Sequence, residues 1–318
     1  MDSILRLARK LCCPVITTFK GKGLIPDDDP LACGVLGRSG TLISAHFMNN
    51  ADLLIVFGAS FSQHTGINPR IPTIQVDFDP IILGKFHAVT VPVYGEIDIT
   101  ARIFSDGLKQ NGPWIDCTEE IEMKWKEWRL EKSKRMETHQ GRGLNSAEIF
   151  HKLSTVIPPD AVIAVDVGNN TYSFGRYFEC QQQSILMSGY LGSIGFGYPA
   201  AIGAWAATPE RPIFVISGDG GFGQYMGEIC TAVKYKMNIT HILLNNNELG
   251  KISREQETIH LPVWETDLHN PDFSKFADVC GAKGWRVDDA ADIENSVQEA
   301  LHYKGPSLVE ILSDPVLI

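Results

Sequence analysis

The chain has 318 residues and a formal net charge of −10, with 44% hydrophobic and 21% charged residues, a globular composition long enough for two domains of ordinary size. The acidic balance, with no long basic run, argues against nucleic acid or an anionic membrane surface as a partner. No apolar run reaches the length of a membrane span, MDSILRLARKLCCPV lacks the apolar core of a secretory signal, and the seven cysteines form no CxxC pair, so a reduced, cytoplasmic setting is expected.

To about residue 112, short apolar runs alternate with helical stretches. Strands are predicted at Pro14–Thr18, Leu53–Phe57, Thr73–Asp77 and Thr90–Pro92, with helices at Thr41–Asn49 and Ile97–Leu108. Asp79 and Pro80 read as the cap and first turn of a helix after the third of these strands. Residues 113–144 form a charged linker helix whose charge run reads as a solvated face. From residue 145 a second domain carries six predicted strands: Ala161–Asp166, Ile185–Ser188, Ile213–Ser217, Ile239–Leu244, Gly284–Val287 and Leu308–Leu312. The fold class expected is α/β, with two doubly wound parallel-sheet domains at 1–112 and 145–318.

The chemistry concentrates in ISGDGGFGQYMGEICTAVKYKMNITHILLNNNELG. An apolar strand runs into Gly218-Asp219-Gly220, then a helix, then a second strand ending in Asn245-Asn246-Asn247. A carboxylate and an amide are thereby placed at the carboxyl ends of two strands, where open α/β sheets bind ligands. Oxygen donors there suit magnesium and a diphosphate. Gly218-x-Gly220-x-x-Gly223 also fits the dinucleotide fingerprint GxGxxG. Against that reading, Asp219 would face a pyrophosphate without a cation, and the second strand ends in amides rather than an acid for ribose. GxxxxGK[ST], HExxH and GxSxG do not occur, and the nine histidines have no metal-ligand spacing. His46, His64 and His87 read as surface or packing residues.

With DVGNNTYSFGRYF (166–178) and SGYLGSIGFGYPAAIGAW (188–205) added, the chain resembles the central and C-terminal domains of thiamine diphosphate (ThDP) enzymes of the acetolactate synthase and pyruvate oxidase superfamily. PVITTFKGKGLIPDDDPL, ADLLIVFGASF and IQVDFDP agree in the first half, which the resemblance makes a Rossmann-like central domain. The resemblance implies that Asp219 and Asn246 give side-chain oxygens, and Glu248 its main-chain carbonyl, to Mg2+. It places Gly168, Asn169, Asn170, Gly218, Gly220, Gly221, Leu249 and Gly250 with the cofactor and its diphosphate. Ile194 matches the apolar wedge that keeps the cofactor bent, and the Gly192 carbonyl the acceptor for its 4′-amino group. Glu255, in ELGKISREQE, falls where the pyruvate oxidase branch carries an acid over the thiazolium, and a proton-relay role follows from that position. Its competing reading is an exposed helix residue. The tryptophan-bearing segment usual in acetolactate synthases is absent here.

The activity implied is decarboxylation of a small 2-oxo acid, pyruvate first, with the enamine passed to an electron acceptor or a second carbonyl. The family's pyrimidine-binding domain, which carries the glutamate facing N1′, has no counterpart in these residues. The chain is therefore expected to hold half a site, to be inactive alone, and to work with that domain in a longer chain or a partner, as a homodimer or homotetramer. A non-catalytic ThDP-binding or regulatory module is the alternative. FAD stays open: GASFSQHTG lies in the right region, but Lys251 stands where an aromatic residue is expected near a flavin.

Overall fold

Every pairing between named strands in the computed structural model is parallel. Near-continuous apolar strands separated by helices lead to this arrangement, because crossover helices cover both sheet faces. The structure describes residues 1–59, 65–108, 112, 114–139 and 141–316. It divides into two units, Met1–Leu130 and Glu131–Ile318.

In the first unit, α1 (Asp2–Leu11) leads into β1 (Val15–Thr17), which pairs with β2 (Ala32–Val35). After α2 (Leu42–Asn50), a three-stranded sheet runs β3 (Leu54–Phe57), β4 (Thr73–Asp77), β5 (Val91–Tyr94), followed by α3 (Ile97–Gly107). Thr41 caps α2 by accepting the Ser44 N–H at 3.3 Å, and the Glu96 carboxylate caps α3 by accepting the Ile99 N–H at 2.7 Å. β2 was not expected, because ACGV is short and follows a run of aspartates and prolines; burial of all four residues beside β1 makes it a strand. The helix expected at Asp79 is instead a set of turns. Asp79 accepts the Ile81 N–H at 3.0 Å, and Gln75 Oε1 accepts the Gly84 N–H at 2.8 Å where Gly84 has φ +70°, which closes the segment before a helix can extend.

α4 (Thr118–Met136) is the expected charged helix, but it has an apolar stripe. Ile121, Trp125 and Trp128 are buried at i, i+4 and i+7, and Trp125 Nε1 donates to the Ala32 carbonyl at 2.7 Å. The solvated-face reading therefore fails for this stripe and also for Lys132, which is buried and donates to the Tyr177 carbonyl at 2.9 Å and to Glu179 at 3.0 Å. The GASFSQHTG loop proposed for FAD includes residues 60–64, and with His64 these lie outside the described residues.

The second unit has α5 (Ser146–Val156), β6 (Val162–Val165), α6 (Asn169–Tyr177), β7 (Ser184–Met187), α7 (Gly197–Ala207), β8 (Ile213–Gly218), α8 (Asp219–Tyr225), α9 (Glu228–Lys234), β9 (Ile239–Asn245), α10 (Gly250–Thr258), α11 (Phe273–Val279), β10 (Lys283–Val287), α12 (Ile293–His302) and β11 (Ser307–Leu312). Each of the six expected strands is present, within one residue at either end. They form one sheet in the order β10-β11-β9-β8-β6-β7. β6 connects outward to β7 on one side, while β8 and β9 continue on the other. The strand order thus reverses at β6 and β8, and the crevice beyond their carboxyl ends is the switch point where such sheets bind ligands. Its floor is a core of Val162, Val215, Tyr198, Phe222, Leu243 and Phe273.

Candidate functional site

Asp166 closes β6 and fixes the loop that follows β7. It is 1% exposed, and its Oδ1 accepts the N–H groups of Val167 at 2.6 Å and Gly195 at 2.8 Å. Burial pushes its carboxyl above the usual carboxylate range, while the N–H groups of Val167, Gly195, Gly197 and Phe196 pull it back. A carboxylate held by four backbone donors organises the turn around Gly192, at φ +63°, and Gly195, at φ +87°. Ile194 is thereby brought over the next strand end. A Cβ at Gly221 would lie 3.4 Å from Ile194 Cγ1 and 2.5 Å from Asp166 Oδ2, and one at Gly220 would lie 2.6 Å from Leu249 Cδ2 and 3.8 Å from Ile194 Cδ1. A side chain at Gly221 would therefore collide with the clamped Asp166 carboxylate, and one at Gly220 would force Leu249 to shift.

Asp219 stands at the end of β8, 3% exposed. Its Oδ1 accepts the Gly220 N–H at 2.9 Å, and Oδ2 accepts the Asn247 N–H at 2.7 Å and Asn270 Nδ2 at 2.7 Å. Burial raises its pKa, and these donors together with the Asn246 N–H oppose the rise. The asparagines after β9 thus close directly on the acid after β8. Asn246 Oδ1 accepts the Glu248 N–H at 3.0 Å, and Asn247 takes φ +56°, a left-handed turn that asparagine tolerates. Residues 247–249 pair with 266–268: the Leu268 N–H donates to the Asn247 carbonyl at 2.8 Å, and the Leu249 N–H to the Thr266 carbonyl at 2.7 Å. Glu248 lies between those bonds, and its carboxylate accepts the Ser253 hydroxyl proton, which leaves Ser253 Oγ to accept from the Thr266 hydroxyl at 2.9 Å.

Three helices begin at this edge without a side-chain cap: α6 after Gly168, α8 after Gly218 and α10 after Leu249. Uncapped N-termini leave backbone donors that favour an anion. Asn169 Nδ2 is buried with no hydrogen-bond partner, and a Cβ at Gly250 would stand 2.6 Å from it, so the starts of α6 and α10 adjoin at this unpaired donor. Asn170 does a different job: its Nδ2 donates to the Asp166 carbonyl at 2.8 Å, tying α6 to β6. Beyond the asparagine turn lies an open cleft of about 510 Å³ lined in part by Asn246, Glu248, Glu265, Asp267 and Arg142.

An unpaired buried donor, a glycine floor and a desolvated carboxylate beside an amide oxygen are a fitting donor set for a diphosphate with a hard cation. Asp219, Asn246 and the Glu248 carbonyl would hold the cation; Asn169, Gly168, Gly220, Gly221 and Gly250 would line the diphosphate. Among the described residues no group of three or more His, Cys, Asp or Glu side chains is placed to hold a metal by itself. A cation here therefore relies on amide, carbonyl and ligand oxygens. Glu255 lies on the exposed side of α10 and pairs with Lys251, whose ammonium also sits 5.5 Å from the Tyr172 ring centre. Sequence reasoning missed the Asp166 clamp and Asn270. An acid at the end of a buried strand just before Asn169-Asn170 was a signal for the first, whereas Asn270 had none, being one amide in a loop 51 residues from its partner.

Comparison with known proteins bears on the same segments. Residues 166–311 match the thiamine pyrophosphate enzyme C-terminal TPP binding domain, and residues 1–103 match the thiamine pyrophosphate enzyme central domain. The chain is 35% identical over 313 residues to YdaP of Bacillus subtilis, whose name describes a thiamine pyrophosphate-containing protein, covering 97% of this chain and 54% of that one. It is 27% identical to the acetolactate synthase large subunit of Haemophilus influenzae, covering 95% of this chain and 54% of the relative. For the acetolactate synthase isozyme 3 large subunit of Escherichia coli the identity is 27%, covering 91% and 52%. The chain spans about half the length of these curated relatives. With both domain matches in order along the chain, and the switch-point site inside the second, this protein belongs to the thiamine pyrophosphate-dependent enzyme family, α/β in both of its matched domains.

Proposed function

We propose that this chain supplies the diphosphate- and Mg2+-holding half of a ThDP-dependent enzyme that decarboxylates a small 2-oxo acid, pyruvate first, and passes the remaining carbon unit to an acceptor. One observation carries the reading: Asp219, the Asn246 turn, the unpaired Asn169 amide and the Gly220-Gly221 floor converge on the switch point of one sheet. Bound there, the cofactor supplies carbanion chemistry at its thiazolium carbon. Asp219 and Asn246 hold the cation and so neutralise the diphosphate. Asn169 donates to an anionic oxygen. Asp166, through the 195–197 backbone, holds Ile194 against the glycine floor and sets the Gly192 carbonyl, the acceptor assigned to the pyrimidine amino group. Glu255, on α10, would hold or move a proton for the reacting atoms once the pyrimidine-binding domain completes the site.

That domain comes from a longer chain or from a partner, in a homodimer or homotetramer, and turnover requires it. FAD in the central domain remains compatible with this scheme. Seven cysteines, none of them in a disulfide, support a reducing, cytoplasmic setting, and no described helix is long and apolar enough to cross a membrane.

Calorimetric titration of ThDP into the purified chain, with and without Mg2+ and beside Asp219→Ala, tests the reading. Mg2+-dependent uptake abolished in the variant is the expected result. Uptake equal in wild type and variant would overturn the assignment of Asp219.

A further inference from the structure

Glu310 in β11 is completely buried, yet it takes no direct part in the site described above. Its carboxylate accepts Asn245 Nδ2 at 2.7 Å, the Ser274 N–H at 3.1 Å and Arg286 Nη1 at 3.2 Å. A buried carboxylate with this many donors is costly to assemble and contributes little net stability, so its effect is sought in what it orients.

The register shows what that is. Arg286 lies opposite Glu310, and Asn245 opposite Leu312, so the three polar side chains share one face of β10, β11 and β9. An ionised carboxylate only accepts hydrogen bonds, so Asn245 must turn its NH2 toward Glu310. Asn245 Oδ1 then faces the other way, where it accepts Asn270 Nδ2 at 3.0 Å and the Asn247 N–H at 3.2 Å. Asn270 is in turn obliged to present its NH2, and the same nitrogen donates to Asp219 Oδ2 at 2.7 Å. The charge at one end of the row thus dictates both amide orientations and delivers a donor to the acid at the other.

We propose that Arg286, Glu310, Asn245 and Asn270 form a polarised chain that positions the Asp219 carboxylate for a divalent cation, with Asn270 as its terminal positioning residue. The inference rests on the reading of Asp219 as a cation ligand. Removing Asn270 takes the side-chain donor from Oδ2 and leaves the carboxylate to the backbone N–H groups of Gly220, Asn246 and Asn247, which loosens its orientation. Changing Glu310 to glutamine removes the constraint on the Asn245 amide.

The test is Mn2+ uptake by the chain in the presence of ThDP, read from the free-Mn2+ electron paramagnetic resonance signal, with apo-protein melting measured alongside. Asn270→Ala is expected to weaken Mn2+ binding about 10-fold, the scale of lost partners around metal ligands, with an unchanged apo melting temperature. Glu310→Gln is expected to weaken it too, and the double variant to be no weaker than the stronger single, because both act through one chain. Asn270→Ala sits in a loop, so it decides the matter even if Glu310→Gln folds poorly. Wild-type Mn2+ affinity in Asn270→Ala, with uptake lost in Asp219→Ala, would overturn the inference and leave the cation site standing. A wild-type chain that takes up no Mn2+ with ThDP rejects the cation reading itself, and the positioning chain with it.

Discussion

His241 offers the sharpest test of the core beneath the site. It lies in β9, fully buried, with Nε2 2.7 Å from Ser217 Oγ, the Phe222 ring edge-on at 4.5 Å, the Tyr198 ring at 5.3 Å and Nδ1 buried without a partner. Burial holds it neutral and pushes its pKa down from 6.5 to about 3. The unfolded chain protonates this imidazole below pH 6.5, while the folded chain does not until about pH 3. The unfolded state therefore binds the extra proton across that window, and stability falls as pH falls through it. The whole window corresponds to roughly 5 kcal/mol, of which about 2 kcal/mol is lost by pH 5. His241→Gln keeps a polar partner for Ser217 and removes the titration. Urea unfolding at pH 7, 6 and 5 should then show wild type losing about 2 kcal/mol more than the variant between the first and last. Parallel losses in the two proteins would refute the reasoning, since carboxylates elsewhere titrate equally in both.

Gly221→Ala places a Cβ 2.5 Å from Asp166 Oδ2 and should cost about 1–3 kcal/mol, a melting shift of roughly 5 °C by scanning calorimetry, together with weaker ThDP uptake. A variant as stable and as tight as wild type would mean the floor is not closed by Asp166. Gly223→Ala, with nothing within 4 Å of the added Cβ, is the matched control and should leave both measurements in place. Chelation of Mg2+ by EDTA should release ThDP from wild type and leave little further loss in Asp219→Ala; ThDP retained after chelation would speak against a bridging cation. Glu255→Gln should leave ThDP affinity unchanged in the isolated chain, while in the assembly completed by the pyrimidine-binding domain it lowers turnover and shifts the pH–rate profile. An unchanged profile would reduce Glu255 to the surface partner of Lys251.

Four strands of the second unit, β6, β8, β9 and β11, were legible as buried apolar runs whose pattern depends on their own residues, whereas the half-exposed edge strands β7 (SILM) and β10 (KGWRV) were legible from short apolar or aromatic stretches between helices. What escaped depends on neighbours distant in sequence. β2 is a strand because β1 lies beside it, not because ACGV prefers to extend. The stripe on α4 is diluted by the lysines and glutamates between Ile121, Trp125 and Trp128, so its charge outweighs its periodicity in any window. At the site, Asp219 and Asn246 could be read from their places at strand ends, because a parallel sheet aligns such ends by construction. Asn245, one residue earlier, reads as the same motif, but its amide faces Glu310. Only the order β11-β9-β8 tells the two asparagines apart, and that order is not written in either segment.

The same geometry bears on the fingerprint GxGxxG that the chain carries at Gly218, Gly220 and Gly223. In a dinucleotide site the first glycine serves a tight turn, the second the approach of pyrophosphate, and the third the close packing of helix on strand. Here Gly218 has φ −86°, and an added Cβ would meet only Asn170 Oδ1 at 3.6 Å, an ordinary contact. A Cβ at Gly223 would meet nothing within 4 Å. The positions where an added side chain would collide are Gly220 and Gly221, the pair that follows Asp219, closed in by Leu249, Asp166 and Ile194. The spacing that space demands is therefore Asp-Gly-Gly, and the wider glycine pattern is coincidental. An ionised acid at the head of that pair, approached by backbone donors from the next strand's asparagine turn, would repel a bare pyrophosphate, and a cation between them would relieve that repulsion. The local sterics and the local charge thus support the proposed cation-bridged diphosphate independently of the strand-end argument.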